Sequence, residues 1–389
     1  MTDWPLKYGL NPYQGEASAT FPDGAPWLTV LNGQVGYINL LDATKAWALA
    51  RELAVTLAVP SAASIKHVHP AGAAIATPLD EPFRMAHQIG DAALSPVATA
   101  YARARAGDRI ASFGDFIGLS EPVDESCAAL IRREVSDGII APDYSASALA
   151  ILRDKKAGAY IVLKGDPQYV PAGDEARVEH GVLLRQAPNR MHISANLFTR
   201  AVGSIPVPNT TILDLQLATI VAKHAPSNAV CIGFGGQAIG IGGGQQARIH
   251  ATRSACEKAD LWRLQLHPRA VALLSAISGS RAQRFNVVRQ WLLWDELTEP
   301  ERADLGATAT HVPAPLSFEE RAAWLATFPG VVMASDGYIP FADNVQRAAR
   351  SAVAVIAQPG GSKGDGAVTT AADRAGIAMI HTGTRLFWH

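Results

Sequence analysis

Apolar and polar positions follow different periods along the chain, and each period predicts a type of element. In residues 43–57 apolar side chains recur at helical spacing, which predicts an amphipathic helix. Residues 62–65 form a short apolar run that predicts a buried strand, and residues 66–72 read as a polar turn broken by Pro and Gly. Polar groups at the end of a strand are a frequent position for a site in α/β proteins.

One order of elements occurs twice: a strand, a turn with Asp and Gly, a helix, and a strand that ends near Pro. The first turn contains Gly114 and Asp115, and the second contains Asp336 and Gly337. The predicted strands are residues 109–113, 138–141, 331–335 and 353–357, and the predicted helices are residues 125–134 and 344–351. The repetition indicates two related α/β halves.

Residues 267–328 have a different character, because their Trp and Leu residues follow helical spacing without a strand pattern. We therefore predict a helical insertion. Within it, Ser317 and Glu320 have the spacing of a capping box, which predicts that the last helix of the insertion begins there.

Composition narrows the class of protein. A chain of 389 residues is long enough for two or three domains at about 150 residues each. Lys and Arg number 34 against 35 Asp and Glu, so the formal net charge of -1 provides no positive field for a nucleic acid or an acidic membrane surface. With 48% apolar and 18% charged residues, the chain is typical of a globular metabolic enzyme.

The cysteines and the N-terminal residues indicate a compartment. Cys127, Cys231 and Cys256 are far apart and form no C-x-x-C pair, so we expect neither a metal site nor a disulfide framework. The first residues lack the basic start and apolar run of a signal peptide, and no apolar stretch reaches the roughly 18 residues of a membrane span. A reducing cytoplasm is the expected location.

A glycine-rich segment, residues 233–244, has two interpretations. One is a dinucleotide-binding turn after a strand, and the residues that fit it are Gly233, Gly235 and Ala238, with Glu257 or Asp260 as the ribose-binding acid. The other is a β-hairpin, which the alternation of residues 238–241 and the paired glycines favour, since glycine supplies positive φ.

A second glycine-rich segment, residues 358–365, precedes a predicted helix over residues 368–375. Its free amides could bind an anion or a ligand carbonyl. The order Gly361-Ser362-Lys363 is not the Gly-Lys-Ser of a Walker loop. An ordinary strand-to-helix connection is the alternative.

Lys66 and His67 are adjacent polar residues after the predicted strand of residues 62–65. A histidine with a pKa near neutrality can take a proton from a nucleophile, and a lysine can stabilise a developing oxyanion. The alternative is a solvated surface pair, because titratable residues at strand ends are common.

Several longer motifs occur in order along the whole chain. They are residues 6–12 (LKYGLNP), 65–74 (IKHVHPAGAA), 112–115 (SFGD), 135–142 (VSDGIIAP), 227–230 (SNAV), 237–249 (QAIGIGGGQQARI), 335–341 (SDGYIPF) and 384–389 (TRLFWH). With these motifs the chain strongly resembles the transformylase part of the aminoimidazolecarboxamide ribonucleotide (AICAR) formyltransferase/inosine monophosphate (IMP) cyclohydrolase family.

The resemblance implies a fold, a reaction and an assembly. The fold would be α/β, with two zinc-free cytidine-deaminase-like units, residues 1–195 and residues 196–266 with 329–389, and a helical insertion at residues 267–328. The reaction would transfer the formyl group of 10-formyltetrahydrofolate to the amine of AICAR. The assembly would be a homodimer with sites between subunits, and backbone carbonyls in this family can hold a monovalent cation such as potassium.

The resemblance also implies residue roles. His67 would accept the proton, Lys66 would stabilise the transition state, and Asn228 would position the nucleotide. The nucleotide-binding residues would be Lys7, Tyr8, Asn39, Gly114, Asp137, Arg248, Asp343 and Arg385, and those for the formyl-folate would be Ile249, Tyr338, Pro340, Ser362 and Lys363. Taken alone, Asp137 could cap a turn, Tyr338 could simply pack, and Arg385 could pair with a surface carboxylate.

Two residues depart from the family pattern. Lys7 stands where the family usually has Arg, and an ammonium lacks the two-pronged geometry that suits phosphate, so weaker phosphate binding is expected. Ile339 stands where a second aromatic residue is often found, which would alter the wall beside the pterin. These departures leave a paralogue acting on a related amine, or a catalytically silent nucleotide- or folate-binding regulator, as alternatives.

The chain begins at the first transformylase motif, so we expect a separate protein to supply the IMP cyclohydrolase activity.

Overall fold

Strands and helices alternate along most of the chain in the computed structural model, which describes residues 3–21 and 26–389. The strands within these ranges are β1 Asp3–Leu6, β2 Ala17–Thr20, β3 Leu28–Asn32, β4 Ser61–Lys66, β5 His69–Ile75, β6 Asp115–Leu119, β7 Ser136–Ala141, β8 Ile161–Gly165, β9 Glu175–Glu179, β10 Val182–Gln186, β11 Val230–Phe234, β12 Gln237–Gly242, β13 Val331–Ser335, β14 Val353–Gln358 and β15 Ala378–His381.

The α-helices cover the sheet and fill the stretch between β12 and β13. They are α1 Tyr37–Leu57, α2 Glu81–His87, α3 Pro96–Ala106, α4 Glu125–Arg132, α5 Ala146–Asp154, α6 Ile212–Lys223, α7 Arg248–Leu264, α8 Pro268–Ala276, α9 Arg281–Leu292, α10 Glu299–Thr308, α11 Phe318–Ala326, α12 Asp343–Arg350 and α13 Asp365–Arg374. None of the helices in the described ranges is long and apolar enough to cross a bilayer.

The central feature is an 11-stranded mixed sheet with the order β15-β14-β13-β11-β12-β5-β4-β6-β7-β8-β3. The group β5-β4-β6-β7-β8 has the same order and the same mixture of strand directions as the group β12-β11-β13-β14-β15. The groups meet where β12 pairs antiparallel with β5, at Gln237 and Ala74. Because this contact is antiparallel, the starts of β6 and β7 share one edge of the sheet with the ends of β13 and β14.

Helices pack on both faces of this sheet. On one face, apolar residues of α1 and α6, such as Leu49 and Leu217, are fully buried in one cluster. On the other face, residues of α3, α4, α7 and α12, such as Ile131 and Ala255, form a second cluster. Helices α8 to α11 and the end of α7 pack around a third cluster that includes Trp291 and Leu325. The sheet is therefore buried on both faces, and its edges are where polar residues emerge.

Most of the predicted elements are found. Helix α1 contains the predicted helix of residues 43–57 and begins six residues earlier, at Tyr37, where the Asn39 side chain accepts the amide of Gly36. Helix α11 begins after Ser317 with the predicted capping box, in which Ser317 and Glu320 exchange hydrogen bonds.

The glycine-rich residues 233–244 form a hairpin, and the dinucleotide-binding interpretation is wrong. Strands β11 and β12 are joined by Gly235 and Gly236, whose φ values of 60° and 77° are those that two-residue hairpin turns require. The buried carboxylate of Asp214 accepts both glycine amides, at 2.9 and 2.6 Å, and so holds the turn. Residues 358–365 form a strand-to-helix connection between β14 and α13.

Two predicted boundaries are wrong. Residues 107–114 form turns, and the strand begins only at Asp115, because the Asp108 carboxylate and carbonyl bind the amides of Ala111 and Ser112 in a helix-like turn. Only residues 67 and 68 form the turn after β4, since β5 already begins at His69. The proline at position 70 is tolerated in β5 because the β4–β5 ladder is irregular there.

Candidate functional site

The candidate residues gather along the sheet edge where β4 ends and where β6 and β7 begin. Lys66 is the last residue of β4, and its ammonium donates a 2.5 Å hydrogen bond to the carbonyl of Phe113. Gly114 follows with a φ of 79°, and a Cβ built on it would lie 4.0 Å from Lys66 Nζ. Lys66 and Gly114 are therefore neighbours, and the first carbon of a side chain at position 114 would lie at van der Waals distance from the ammonium.

A buried polar network fixes the backbone next to Lys66. Ser64, two residues earlier on β4, donates a 2.6 Å hydrogen bond to Asp115, and Arg105 donates one of 2.5 Å to the same carboxylate. Ser64 and Ser112 are also hydrogen-bonded, at 2.8 Å. Because Ser112 and Asp115 flank Phe113 and Gly114, this network fixes the backbone that receives the Lys66 ammonium.

His67 occupies an unusual backbone conformation. Its φ is 53° and that of Val68 is 65°, in the left-handed region that residues other than glycine rarely adopt and that a β-branched residue adopts least readily. Asp42, buried in α1, accepts the Val68 amide at 2.6 Å and a backbone hydrogen bond from His67 as well. Burial raises the pKa of the Asp42 carboxyl, and these two amides act in the opposite direction. The turn is held from α1 while the His67 imidazole stays exposed.

Asp137 lies next to this turn at the start of β7. Its negative charge contributes to raising the pKa of Asp42, and Lys156 forms a 2.8 Å ion pair with it. The Asp137 side chain remains 49% exposed, so its carboxylate is open to a ligand. We call Lys66, His67, Gly114 and Asp137 the His67 cluster.

Lys7, Tyr8 and Asn39 lie together at the start of α1. The Tyr8 carbonyl accepts the Tyr37 amide at 3.0 Å, and a Cβ built on Gly36 would lie 2.9 Å from the Tyr8 ring. Lys7 extends over that ring, with its ammonium 5.7 Å from the ring centroid. Lys7 and Tyr8 are both exposed, whereas the Asn39 amide oxygen is used in capping α1.

Asn228 is oriented by a second network. Its side-chain nitrogen donates to the carbonyls of Gln245 and Gln246, at 2.8 and 3.1 Å, and its side-chain oxygen accepts from Arg248 at 2.6 Å. Arg248 also donates to the carbonyl of Ala229 and to the buried carboxylate of Asp336. The peptide bond between Ser227 and Asn228 is cis.

The buried guanidinium of Arg248 thus holds Asn228 and Asp336, and it does not face solvent. Ile249 follows it in the first turn of α7 and is half-buried. We call Asn228, Arg248 and Asp336 the Asn228 cluster.

The His67 and Asn228 clusters are neighbours within one chain. The His69 ring nitrogen Nδ1 and the His67 carbonyl are 2.6 Å apart, and a Cβ built on Gly244 would lie 3.4 Å from His69 Nε2. The Gly244 amide donates to the carbonyl of Pro226, two residues before Asn228. The pairing of β12 with β5 therefore brings together residues that are about 160 positions apart in sequence.

Most of the residues expected to bind folate lie on two touching loops beyond β13 and β14, and only Ile249 among them lies on α7. Tyr338 is 50% exposed, and a Cβ built on Gly364 would overlap the carbonyl oxygen of Pro340. Ser362 accepts the Gly364 amide at 3.1 Å, and Lys363 is exposed. An aromatic side chain and an ammonium are thus available to a ligand on adjoining loops.

Ile339 does not alter a wall beside a ligand, contrary to the expectation from the sequence. Its side chain is completely buried in the core, and its amide donates to Gln358 at 2.8 Å. Tyr338 is exposed and Ile339 is buried, so the two neighbouring side chains face opposite ways.

The remaining two candidates are exposed. Asp343 begins α12 and accepts a 2.9 Å hydrogen bond from Asn344. The Arg385 guanidinium lies 4.8 Å from the Phe387 ring centroid, in a segment whose Leu386 amide donates to the carbonyl of Asp336. Arg385 therefore belongs to the surroundings of the Asn228 cluster, whereas no hydrogen bond or ion pair within the described residues ties Asp343 to either cluster.

Asp42, Ser227 and Asp336 shape the site but are missed by the sequence reasoning. The sequence does contain a signal for Asp42, because this residue lies on the same apolar face of α1 as Ala46 and Leu49. A carboxylate on a buried helix face needs a hydrogen-bond partner. Ser227 and Asp336 lie 109 residues apart and are joined by a 2.6 Å hydrogen bond. Such a long-range pair has no local signature.

Within the described residues, no group of three or more His, Cys, Asp and Glu side chains is placed to hold a metal ion.

The fold and the site define an α/β protein with an exposed imidazole, an ammonium and an oriented amide at one edge of a mixed sheet. Residues 2–258 match the AICARFT/IMPCHase bienzyme family, and the chain belongs to that family.

Two relatives carry the name bifunctional purine biosynthesis protein PurH. The protein of Sorangium cellulosum (strain So ce56) is 29% identical over 399 residues, which is 99% of this chain and 59% of the relative. That of Roseobacter denitrificans (strain ATCC 33942 / OCh 114) is 30% identical over 388 residues, again 99% of this chain and 59% of the relative. The chain thus spans about three fifths of the length of these relatives.

Proposed function

We propose that this protein is an AICAR formyltransferase, which transfers the formyl group of 10-formyltetrahydrofolate to the amine of AICAR in purine biosynthesis. The observation that carries the proposal is the meeting of Lys66, His67 and Asn228 at one edge of the sheet, through the contact of His69 with Gly244 and the hydrogen bonds of Asn228. Membership of the AICARFT/IMPCHase family supports the same reaction.

The chemistry needs a base because the attacking amine of AICAR is conjugated with the ring and with the carboxamide. As the nitrogen attacks the formyl carbon, a C–N bond forms and the amine must lose a proton. His67 takes that proton, directly or through the carboxamide, and its exposed imidazole is accessible to a substrate. The tetrahedral centre then collapses, and the bond from the formyl carbon to the folate nitrogen breaks.

Lys66 serves the oxyanion and the leaving group in this proposal. An ammonium has three N–H donors, and one of them is used by the Phe113 carbonyl. The remaining donors are free to stabilise the formyl oxygen and to protonate the departing folate nitrogen. Holding the ammonium in place beforehand avoids reorganisation during the reaction.

The nucleotide would lie between the two clusters. Lys7, Arg385 and Tyr8 are exposed for contact with the phosphate and ribose, and Asp137 is open to a polar group. Gly114 lets the nucleotide come close to Lys66. Asn39 contributes by holding the amide of Gly36, and Arg248 contributes by orienting Asn228. Asp343 is assigned to the same ligand by the family motif.

The formyl-folate would lie along the loops after β13 and β14. Tyr338, Pro340, Ser362 and Lys363 line these loops, and Ile249 is nearby in sequence to Arg248. The exposed ring of Tyr338 suits a pterin, and the exposed ammonium of Lys363 suits a carboxylate.

We also propose the finer features of fold and assembly that the family resemblance implies. The repeated strand order supports two cytidine-deaminase-like units, residues 1–195 and residues 196–266 with 329–389, around an insertion at residues 267–328. The active form is a homodimer with composite sites. The ring closure of the product is carried out by residues other than these 389. Binding of a monovalent cation such as potassium rests on the resemblance alone, and no step of the reaction depends on it here.

A steady-state assay with AICAR and 10-formyltetrahydrofolate tests the function. Turnover with AICAR supports the proposal. Turnover only with another amine would identify a specialised paralogue, and binding of either substrate without turnover would identify a silent regulator. The His67→Ala variant should lack activity in the same assay, which excludes a contaminating enzyme.

A further inference from the structure

Lys45 on α1 has no role in the formyl transfer proposed for this protein. It lies on α1, three positions after Asp42, and its ammonium is 3.2 Å from the centroid of the Trp388 ring. It is half-buried, and no hydrogen bond or ion pair of its ammonium is found within the described chain, although the negative charge of Glu175 on β9 acts on it over a longer distance. Its specific contact is therefore a cation on the face of an aromatic ring.

Trp388 belongs to the C-terminal segment, residues 384–389, which is tied to the Asn228 cluster through its backbone. The Trp388 amide donates to the Ser227 hydroxyl at 3.1 Å, and the Trp388 carbonyl accepts the Ser227 amide at 2.9 Å. The Leu386 amide donates to the Asp336 carbonyl at 2.9 Å. Ser227 precedes Asn228, so the place of this segment is coupled to the place of the Asn228 side chain.

Helix α1 therefore contacts the turn of the His67 cluster directly and reaches the Asn228 cluster through the C-terminal segment. One turn of the helix contributes Asp42, which holds the turn of His67, and Lys45, which packs on the segment that contacts Ser227. The contacts form a closed path from Asp42 through His67, His69, Gly244 and Pro226 to Ser227, and back through Trp388 to Lys45. Without the contact between Lys45 and Trp388, α1 would no longer hold the C-terminal segment, which carries the proposed nucleotide-binding residue Arg385.

We propose that Lys45 is a positioning residue for the transfer reaction, which fixes the C-terminal segment and thereby the orientation of Asn228 and Arg385 towards the nucleotide. This inference rests on the proposed function. Burial lowers the pKa of Lys45 to about 8, and the residue is still mostly protonated at neutral pH, as a cation–ring contact requires.

The Lys45→Met variant keeps most of the side-chain stem and loses the charge, whereas Lys45→Arg keeps a cation that can lie on the ring. The KM for AICAR should rise in Lys45→Met by between about 2-fold and 30-fold, the range of a cation–ring contact. The KM for 10-formyltetrahydrofolate should rise less, because Lys45 contacts Trp388 on the side of Ser227, whereas Phe387 is the residue of the segment that packs against Gly337 beside Tyr338. Lys45→Arg should restore most of the loss.

Lys164→Met is the matched control. Lys164 pairs with Asp143 at the far end of β8, 44% exposed, so the same chemical change there should leave both KM values unaltered. An equal rise of the two KM values in Lys45→Met, an unchanged KM for AICAR, or a Lys45→Arg variant as impaired as Lys45→Met would each overturn the proposal.

Hydrogen–deuterium exchange provides a readout that does not depend on turnover. In Lys45→Met the peptide that contains Leu386 and Trp388 should exchange faster than in the wild type, with α1 itself unchanged. If the wild type lacks formyltransferase activity, the proposed function fails while this measurement still decides whether Lys45 holds the segment. Unchanged exchange would refute the positioning role. The double variant Lys45→Met/Trp388→Leu should lose no more AICAR affinity than Trp388→Leu alone.

Discussion

The carboxylate of Asp42 accepts a 2.6 Å hydrogen bond from the amide of Val68, across the junction between α1 and the turn that carries His67. His67 and Val68 both have positive φ, and two consecutive residues of this kind persist only where the surroundings hold them. Asp42 therefore maintains a strained turn whose geometry aims the proposed base.

Replacing Asp42 should damage catalysis more than folding. Asp42→Ala removes the acceptor of two amides, the turn should relax, and kcat should fall by roughly 5-fold to 160-fold, as expected from strain of about 1 to 3 kcal/mol. Asp42→Asn keeps one acceptor oxygen and should lose less. Steady-state kinetics and circular dichroism on both variants make the comparison. A wild-type kcat in Asp42→Ala would show that the turn holds itself.

His67→Ala should lower kcat by about a hundredfold to ten-thousandfold, which is the usual contribution of a general base. The imidazole is exposed, so the fold and AICAR binding should be retained. Rapid-quench or steady-state kinetics measures the loss, and calorimetry measures the binding. His180→Ala is the control, since His180 is an exposed histidine in the turn between β9 and β10. Near-normal turnover in His67→Ala would remove this residue from the mechanism.

Lys66→Arg should also lose most of its activity. The change keeps the charge but alters its shape and its acidity, so a guanidinium cannot protonate the leaving nitrogen as an ammonium does. The measurement is kcat at several pH values. Activity close to that of the wild type would mean that Lys66 acts through its charge alone.

Lys7→Arg should tighten AICAR binding. A planar guanidinium can make two parallel hydrogen bonds to a phosphate, whereas an ammonium acts as a point charge. The exposed position of Lys7 above Tyr8 leaves room for the longer group. Calorimetric titration with AICAR gives the Kd, and Lys7→Met, which removes the charge, should weaken it. If Lys7→Arg binds no more tightly, then Lys7 does not contact the phosphate or its surroundings have adapted to lysine.

Glu134 should make stability depend on pH in acid. Burial acts to raise the pKa of this carboxyl, but Arg109, Arg105 and Arg281 together lower it to about 2, below its ordinary value of 4.5. The stabilising contribution is therefore complete above about pH 4.5 and is lost as the pH falls towards 2.

Glu134→Gln leaves the arginines without their shared anion. It should destabilise the protein by about 3 to 5 kcal/mol near neutral pH, and by progressively less below pH 4.5. Urea unfolding of both proteins across this pH range measures the difference. Because Arg281 lies on α9, the loss should appear first as weaker attachment of helices α8 to α11. A difference between the two proteins that is independent of pH would contradict the assignment.

A homodimer with composite sites should show complementation. His67→Ala and Arg385→Ala are each expected to be inactive, and mixing them with subunit exchange should restore partial activity if the two residues of one site come from different chains. Analytical ultracentrifugation belongs beside this assay. A monomer with full turnover at the assay concentration would rule out the composite site.

Local signals in the sequence were sufficient for much of the fold. The capping box of Ser317 and Glu320 marks a helix start, and Gly235 and Gly236 mark a hairpin, because each depends on residues within a few positions of one another. The apolar period that predicts α1 is local for the same reason. The prediction that residues 109–113 form a strand is wrong. The carboxylate and the carbonyl of Asp108 accept the amides of Ala111 and Ser112 and hold these residues in turns.

For the candidate site too, the sequence indicated some features and only the tertiary structure showed the others. Motifs on the chain pointed to Lys66, His67 and Asn228, because the sequence carries the family pattern. Only the tertiary structure showed that Arg248 turns inward to hold Asn228 and Asp336, that Ile339 faces the core, and that Lys45 packs on Trp388. These contacts join residues 19 or more positions apart, and they arise from how the sheet brings strand ends together. A linear pattern records which side chains are available, and the packing of distant segments decides what each one contacts.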